Sequence, residues 1–195
     1  MSMQVLGQSN AKGKNAAATR AAILLAARRR FSKESYDSLG LRDIAADAGV
    51  DVALVGRYFG SKEKLFAEVV GAGGGDWLPP ASASELPHVL TQLFMNLEDA
   101  EHRDHADRLL IILRSSSSPV AAAIVREALS RDVLQPLTSR LAGEAPEARA
   151  SLALAVWMGV TVLRTVMAVE PMSSRKCEVV DAKIASLYEA ALSEL

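Results

Sequence analysis

Side chains that donate hydrogen bonds to phosphates or base edges recur between residues 42 and 62, namely Arg42, Arg57, Tyr58 and Lys62. An arginine guanidinium can donate to two acceptors of one guanine edge, whereas lysine and tyrosine often donate to phosphate oxygens. Ser61 is the natural N-cap of the helix that starts at Lys62, and the free backbone N–H groups there favour an anion. Side chains of these types are suited to phosphates and base edges when a DNA-binding motif positions them.

The residues at the start of the predicted helix that carries Arg57 add to this set. Ala53 and Leu54 can contact thymine methyl groups or pack inside the protein, and Asp51 is well placed as the N-cap. For Arg57 the alternative is a solvated arginine without a ligand. The predicted DNA-binding residues are Arg42, Asp51, Ala53, Leu54, Arg57, Tyr58 and Lys62.

Four predicted helices position these side chains, over about 19–35, 41–48, 52–59 and 62–70. Apolar residues at four-residue steps, Ile23, Ala27 and Phe31, mark the buried face of the first helix. Gly49 suits the left-handed backbone position that ends the second helix. This order of elements is a helix-turn-helix, a motif that places its second helix in the DNA major groove.

Composition divides the chain into four segments. Residues 1–18 predict a flexible basic tail, in which Lys12 and Lys14 either reach a minor groove or have no role. Residues 19–70 form the helix-turn-helix head. Glycines and prolines over 71–83 predict a linker about which the head pivots, with Gly73 and Gly74 as its centre.

The remaining segment, 84–195, predicts a helical body, because its apolar residues keep a helical period without strand-like alternation. Ser84 is the predicted cap of its first helix. Pro119 follows Ser118 at a position that suits the first turn of another helix, and Pro136 is expected to bend that helix. The predicted fold class is therefore all-α.

The predicted helix over about 146–169 is apolar on all sides, which raises the question of a membrane span. Arg164 lies well inside it, and an unpaired charge there costs about 2.5–3.5 kcal/mol in lipid on insertion scales. Burial on two sides by protein explains the same pattern. We therefore expect no membrane span and predict that this helix and the last one, about 174–194, pair with their mates in a dimer.

Residues 19–70 resemble the DNA-binding head of the tetracycline-repressor (TetR) family of bacterial transcriptional regulators. The resemblance rests on the helix of Phe31, on the run Leu41-Arg42-Asp43-Ile44-Ala45, on Ala48-Gly49-Val50, and on Tyr58-Phe59-Gly60-Ser61-Lys62-Glu63-Lys64-Leu65. Gly40, Val52 and Gly56 depart from the family's pattern, which often has threonine, lysine and an aromatic residue there. The contacts with DNA are therefore expected to differ from the family average.

The resemblance implies a homodimeric repressor that leaves a palindromic operator in double-stranded DNA when a small-molecule effector binds the body, 84–195. No cofactor is expected. The chain has no glycine-rich phosphate loop after a strand and no convincing nucleophile–base pair, so an enzyme is not predicted. The alternative is a helical ligand-binding or enzymatic protein whose degenerate head, with Val52 and Gly56, does not bind DNA.

Charge and cysteine content agree with a DNA-binding protein of a reducing compartment. Residues 1–64 hold 11 Lys and Arg against 6 Asp and Glu, a net charge of +5, whereas residues 65–195 carry −6. A basic head on an acidic body suggests that only the head meets a polyanion. Cys177 is the single cysteine, so no intramolecular disulfide is possible, and a cytoplasmic location is expected.

The candidate residues of an effector pocket are Phe94, Met95, Trp157, Met158 and Arg164. Aromatic and methionine side chains on helices are more often plain core. Arg164 needs a partner, which can be an acidic ligand, an acidic residue of its own chain, or one of a second subunit.

A metal site is not predicted. His102 and His105, with Asp104 and Asp107, have a spacing on a helix that suits metal binding. Histidines and acids on a polar helix start are usually just solvated.

Overall fold

The computed structural model describes residues 5–71, 77–95, 99–173 and 177–194, with side chains for 15–71, 77–93, 104–173 and 177–194. The regular structure of these residues is entirely helical. The α-helices are α1 (Val5–Phe31), α2 (Leu41–Asp47), α3 (Val52–Phe59), α4 (Lys62–Val70), α5 (Leu86–Met95), α6 (Asp99–Ser115), α7 (Pro119–Leu129), α8 (Gln135–Thr138), α9 (Pro146–Thr161) and α10 (Glu178–Leu192). Two π-helical segments, Ser130–Leu134 and Val162–Val166, follow α7 and α9.

The first helix is longer than the sequence pattern predicts. α1 begins at Val5, whereas residues 1–18 were expected to form a tail without regular structure. Alanine has the highest helix propensity, and the alanines between residues 11 and 22 let the helix extend toward the N-terminus. Lys12 and Lys14 therefore belong to a helical backbone, although their side chains lie outside the described ones.

An aromatic cluster holds the head together. The ring of Phe66 on α4 meets Phe31 and Tyr36 edge-on, each at a centroid distance of 4.9 Å. Such pairs contribute roughly 0.5–1.5 kcal/mol beyond the burial of their area. All three side chains are buried. The end of α1, the segment after it and α4 thus form one rigid unit.

Arg30 fastens α1 to the helix-turn-helix. Its guanidinium donates to both carboxylate oxygens of Asp47 on α2, at 2.6 and 2.8 Å, and to Glu34 at 2.9 Å. The hydrogen bonds with Arg30 hold the pKa of Asp47 below its ordinary value. A bidentate arginine–carboxylate pair also constrains geometry, so this contact sets the position of α2 relative to α1.

The head shares a core with the body. Apolar residues of α6 and α7, among them Ile111 and Val125, belong to the same buried cluster as Phe66 and Val70 of α4. The helix–helix contacts include α4 with α7 and α1 with α6. Helices α6 and α7 of the body therefore pack directly against the head.

A second core joins α5, α8, α9 and α10 at the other end of the molecule. Tyr188, Leu86 and Leu137 lie in it almost without exposure. Burial raises the pKa of Tyr188. Arg149 is also buried there, and it donates to the carbonyl oxygens of Ala142 and Leu192. These bonds satisfy a charge that would otherwise be costly to bury.

Several predicted helix boundaries agree with the structure. Ser118 caps α7, its hydroxyl accepts from the backbone N–H of Ala121, and Pro119 occupies the first turn. Ahead of Pro136 the helix changes to the π form over Ser130–Leu134, which agrees with a disturbance at this proline.

Other boundaries were predicted incorrectly. Ser82, not Ser84, starts the turn before α5, because Glu85 accepts hydrogen bonds from the backbone N–H and the hydroxyl of Ser82. The helix expected over 146–169 changes to the π form after Thr161 and ends at Val166. The last helix begins at Glu178, and residues 174–176 lie outside the described ones.

One helix among the described residues, Pro146–Val166, has the length and composition to cross a membrane. Its apolar window is only 28% buried within one chain. Length and composition alone are weak evidence, because the core helix of a soluble protein has the same features.

Candidate nucleic-acid interface and ligand cavity

The turn between α2 and α3 is built from local hydrogen bonds. The backbone N–H of Val50 donates to the carbonyl of Ala45 at 3.0 Å, and Gly49 adopts a φ of +66°, which side chains with a Cβ rarely adopt. Asp51 caps α3, and its carboxylate accepts from the backbone N–H of Ala53 at 2.7 Å. The predicted N-cap role of Asp51 is thereby confirmed.

Helix α3 buries one face and exposes the other. Val55 and Phe59 are buried in the head core, whereas Ala53 and Arg57 are exposed and Leu54 is half-buried. The side chain of Arg57 therefore points away from the core. Within the described part of the chain it forms no ion pair, so its guanidinium is available to a polyanion.

Arg42 extends the same kind of surface from α2. Its side chain is exposed and forms no ion pair with a described residue. Asp43 beside it accepts from the backbone N–H of Gly40 at 3.0 Å. This contact orders the start of α2, at the position where the family often has a threonine.

Lys62 at the start of α4 is held by an aromatic ring that sequence reasoning did not connect with the site. Its ammonium lies 4.4 Å from the ring centroid of Tyr36, a cation–π distance. The hydroxyl of Tyr36 donates to Glu63 at 3.2 Å, and burial together with Glu63 raises the pKa of Tyr36 to about 12. The predicted cap Ser61 is confirmed, since it accepts from the backbone N–H of Lys64 at 3.2 Å.

Tyr58, the remaining predicted contact residue, is half-buried against the head core. This placement agrees with a ring that packs while its hydroxyl remains near the surface. Tyr36 lies between α1 and α2 and Lys62 starts α4, so no spacing along one helix links them. Only the folded chain brings the two side chains together.

The departures from the family's pattern leave space on α3. A Cβ added to Gly56 would meet no atom within 4 Å, and Val52 is 38% exposed. The exposed face of α3 therefore carries small side chains around Arg57.

Two family models match the chain. Residues 84–192 match the model described as "Tetracyclin repressor-like, C-terminal domain", and residues 23–69 match "Bacterial regulatory proteins, tetR family". The first match alone covers more than half of the chain.

The chain belongs to the TetR family. This TetR-family protein is a transcription regulator with a helix-turn-helix DNA-binding domain, and homodimers and ligand responses are typical of the family. A crystal structure of a TetR-family regulator from Streptomyces coelicolor A3 is 26% identical, covers 90% of this chain and 95% of its own, and has a TM-score of 0.48. No curated protein sequence matches the chain.

The body of this TetR-family protein contains a cavity of about 390 Å³. Its volume falls in the usual range for small-molecule pockets, roughly 300–1,000 Å³. The wall is mostly apolar and includes Leu90, Leu93, Leu109, Ile112, Ala153 and Leu154. Val70 at the end of α4 also contributes to it, so the cavity reaches the head.

Of the predicted pocket residues, Trp157 lines the cavity. Met158, the next residue along the helix, does not line it, because successive residues of a helix point in different directions. Arg164 does not line it either. The side chains of Phe94 and Met95, at the end of α5, lie outside the described ones. Trp77, which sequence reasoning did not single out, also lines the cavity, and its indole donates to the carbonyl of Asp132 at 2.8 Å.

Arg164 has an acidic partner in its own chain. Its guanidinium lies 3.2 Å from the carboxylate of Asp181 on α10 and donates to the carbonyl of Met172 at 2.8 Å. One of the three partners left open by the sequence is therefore present. The arginine joins the π-helical segment after α9 to α10 and does not contribute to the cavity wall.

Three ionisable side chains, His105, Arg108 and Asp132, also line the cavity. Arg108 lies 3.4 Å from Asp104, but its Nε atom is buried without a hydrogen-bond partner. Burial lowers the pKa of Arg108, and the nearby positive charge of Arg28 acts in the same direction. This cavity-lining arginine thus keeps one buried N–H donor without a hydrogen-bond partner.

No group of three histidine, cysteine or carboxylate side chains that could hold a metal occurs among the described residues. The ring of His105 packs edge-on against Trp157 at 5.6 Å. Of the candidate metal ligands, His102 has a side chain outside the described ones.

Proposed function

We propose that this TetR-family protein is a homodimeric repressor that binds a palindromic operator and is released by a small molecule bound in its body. The observation that carries the proposal is the helix-turn-helix with two exposed arginines, Arg42 and Arg57. Neither arginine forms an ion pair within the described residues. A guanidinium held on a rigid helix without an intramolecular partner is suited to phosphate or guanine.

The residues of the interface take different roles in this proposal. Arg57, Ala53 and Leu54 on α3 face base edges in the major groove, while Arg42, Tyr58 and Lys62 hold phosphates on either side. Asp51 acts by capping α3 and thereby directing it. Each role follows from where the residue lies: at the start of α3, on its exposed face, or beside it.

Dimerisation is supported by an apolar surface on the last two helices. Large side chains that one chain leaves exposed are Leu152, Leu163, Met167, Val179 and Leu187. Apolar patches of this kind on a soluble protein mark an interaction site. A second copy that covers them forms a four-helix bundle from α9 and α10 of both chains.

A dimer also gives the operator its symmetry. Two heads held about 34–36 Å apart reach successive major grooves on one face of the duplex. A palindromic site then repeats the same contacts twice, which raises affinity and specificity together.

Release by an effector follows from the position of the cavity. Val70 of α4 and Leu109 of α6 both line it, and both helices pack against the head core. An effector that binds better to a conformation with wrongly spaced heads weakens DNA binding by the same factor. A protein with this function acts in the cytoplasm and is not an enzyme.

The experiment is selection of bound duplexes from a random library by the purified protein at moderate salt. Enrichment of a palindrome supports the proposal, and the variant Arg57→Ala should lose it. The matched control is Arg126→Ala, which removes an exposed arginine of α7 on the body.

Enrichment of no sequence by a folded dimer would contradict the proposal. A ligand-binding body with a degenerate head would then be favoured, in keeping with the small side chains at Val52 and Gly56. The salt dependence of DNA affinity separates the two readings, because phosphate contacts make affinity fall steeply as salt rises.

A further inference from the structure

We propose that the cavity binds a largely apolar small molecule with one acidic group, that Arg108 is the counter-ion of this group, and that Asp104 competes with it. The proposal rests on the proposed function in one respect, namely that this cavity is the effector site. The chemical class of the effector is inferred from the wall alone.

The apolar part of the ligand follows from the lining. Leu90, Leu93, Ile112 and Leu154 supply aliphatic surface, and the aromatic ring of Trp157 stands on the same wall. A polar ligand would lose its hydration here without gaining hydrogen bonds. The few polar groups of the cavity therefore have to account for the polar part of the ligand.

The acidic group follows from the state of Arg108. Its Nε is buried and has no hydrogen-bond partner, and its single described ion pair, with Asp104, is 3.4 Å long. The charge of Arg108 is therefore weakly paired, and a ligand carboxylate in the cavity would form a charge-assisted hydrogen bond with the part of the guanidinium that lines it.

The other charges at the cavity do not replace such an acid. The carboxylate of Asp132 attracts Arg108 electrostatically, but it receives two hydrogen bonds from Arg131, at 2.6 and 2.9 Å. Asp104 is 49% exposed and is shared with Arg28, whose guanidinium lies 3.8 Å away. Arg108 therefore has one long, solvent-facing ion pair among the described residues, and it lines a mostly apolar cavity in which the nearby Asp132 is bonded to Arg131.

Asp104 connects this site with the head. It lies between Arg108 on the cavity wall and Arg28 on α1, within 4 Å of both. A ligand carboxylate and the Asp104 carboxylate repel each other because both are negatively charged, and they compete for the same guanidinium. Occupation of the cavity therefore alters a charge pair that reaches the first helix of the head.

The test uses the purified protein without DNA and follows its intrinsic fluorescence. The chain has two tryptophans, and both Trp77 and Trp157 line the cavity. Decanoic acid is titrated against 1-decanol, and 1-naphthaleneacetic acid against 2-(1-naphthyl)ethanol, so that each acid has a neutral counterpart of similar size. The acids are expected to bind more tightly than their alcohols.

The variants separate Arg108 from general effects on the cavity. Arg108→Gln should weaken binding of the acids about tenfold or more while leaving the alcohols unchanged, and Arg108→Lys should restore part of the loss. Asp104→Asn should tighten acid binding roughly two- to fivefold, since a repelling charge is removed. Matched controls on the same helix are Arg114→Gln and Asp107→Asn. They should change the affinity for neither the acids nor the alcohols.

Equal affinity for acid and alcohol would overturn the proposal, as would unchanged acid binding by a folded Arg108→Gln protein or the absence of binding by any of the four probes. The helical content and unfolding temperature of each variant establish that it is folded. Failure of the repressor function is seen separately, as absence of an enriched operator, because the fluorescence titration contains no DNA.

Discussion

The hydroxyl of Ser118 donates a hydrogen bond to the carboxylate of Asp37 at 2.9 Å and thereby joins the body to the head. Ser118 is also the N-cap of α7, and its side chain is almost fully buried. Asp37 lies in the segment between α1 and α2. The start of α7 is therefore tied directly to the unit that carries the helix-turn-helix.

Ser118→Ala should lower the free energy of unfolding by about 1–2 kcal/mol, because it removes a helix cap and a hydrogen bond between head and body. Asp37→Ala, which removes only the second of these, should cost less. Chemical denaturation of both variants and of the double variant measures their coupling. Ser116→Ala is the control. If it lowered the free energy of unfolding as much as Ser118→Ala does, the effect of Ser118→Ala could not be assigned to the cap and the bond with Asp37.

Arg57 and Lys62 should differ in what their loss does to DNA binding. Arg57→Ala is expected to weaken operator binding by about 1–3 kcal/mol and to relax specificity, because this residue faces base edges. Lys62→Ala should weaken binding to all sequences and reduce the salt slope by about one unit. Fluorescence anisotropy with specific and unrelated duplexes at several salt concentrations measures both. Identical effects on the two duplexes for Arg57→Ala would contradict its assignment to base recognition.

Two glycines of the helix-turn-helix should respond oppositely to alanine. Gly56 lies inside α3 and has open space around it, so Gly56→Ala should stabilise the fold by about 0.5–1 kcal/mol. Gly49 has a φ of +66°, so Gly49→Ala should destabilise it by about 1–2 kcal/mol, although its surroundings are equally open. Thermal unfolding compares them, and the same sign for both variants would contradict this account.

Charge on the exposed face of α9 or α10 should separate the subunits. Leu152 and Leu187 are 51% and 52% exposed in one chain, and the variants Leu152→Asp and Leu187→Asp should be monomeric in light scattering after size exclusion. Burying an unpaired carboxylate in an apolar interface is strongly unfavourable. Val120→Asp, on a side chain that is 49% exposed on α7, should remain dimeric. A wild-type protein that is monomeric in light scattering would contradict the predicted dimer.

The pair of Arg30 and Asp47 should appear in the acid limb of the stability curve. Hydrogen bonds with Arg30 lower the pKa of Asp47 below its ordinary value of 3.8. Its contribution to stability is therefore present above that value and is lost as pH falls through the lower, folded-state pKa. Asp47→Asn should flatten this part of the curve, measured by urea unfolding between neutral and acidic pH. Asp107→Asn is the control, and an unchanged slope in Asp47→Asn would argue against the pair.

The start and end signals of several helices were predictable because they act locally. Asp51 and Ser61 cap α3 and α4 as their residue types and positions predict, and Ser118 with Pro119 starts α7. The family followed from the motifs around Gly49 and Lys62 for the same reason, since a helix-turn-helix is specified by short-range spacing. Prediction failed for residues 5–18, where alanine propensity outweighed the glycine, serine and asparagine that suggested a tail.

The cavity shows the limit of local information. Trp157, one of the candidate pocket residues, lies on the cavity wall, but Trp77 and Arg108 reach the same wall from distant parts of the chain. The predicted hinge glycines Gly73 and Gly74 lie outside the described residues, so the pivot of the head stays a prediction. The contact residues on DNA likewise stay predictions, although the exposure of Arg42, Ala53 and Arg57 agrees with that role.

The sequence by itself determined the all-helical class, the helix-turn-helix and its caps, because these depend on residues within a few positions of one another. Only the tertiary structure decided that Arg164 pairs with Asp181, that Tyr36 supports Lys62, and that Arg108 faces an apolar cavity. An arginine, a tyrosine or an aspartate finds its partner through the packing of whole helices. Periodicity predicts which face of a helix is buried, but not which other helix buries it.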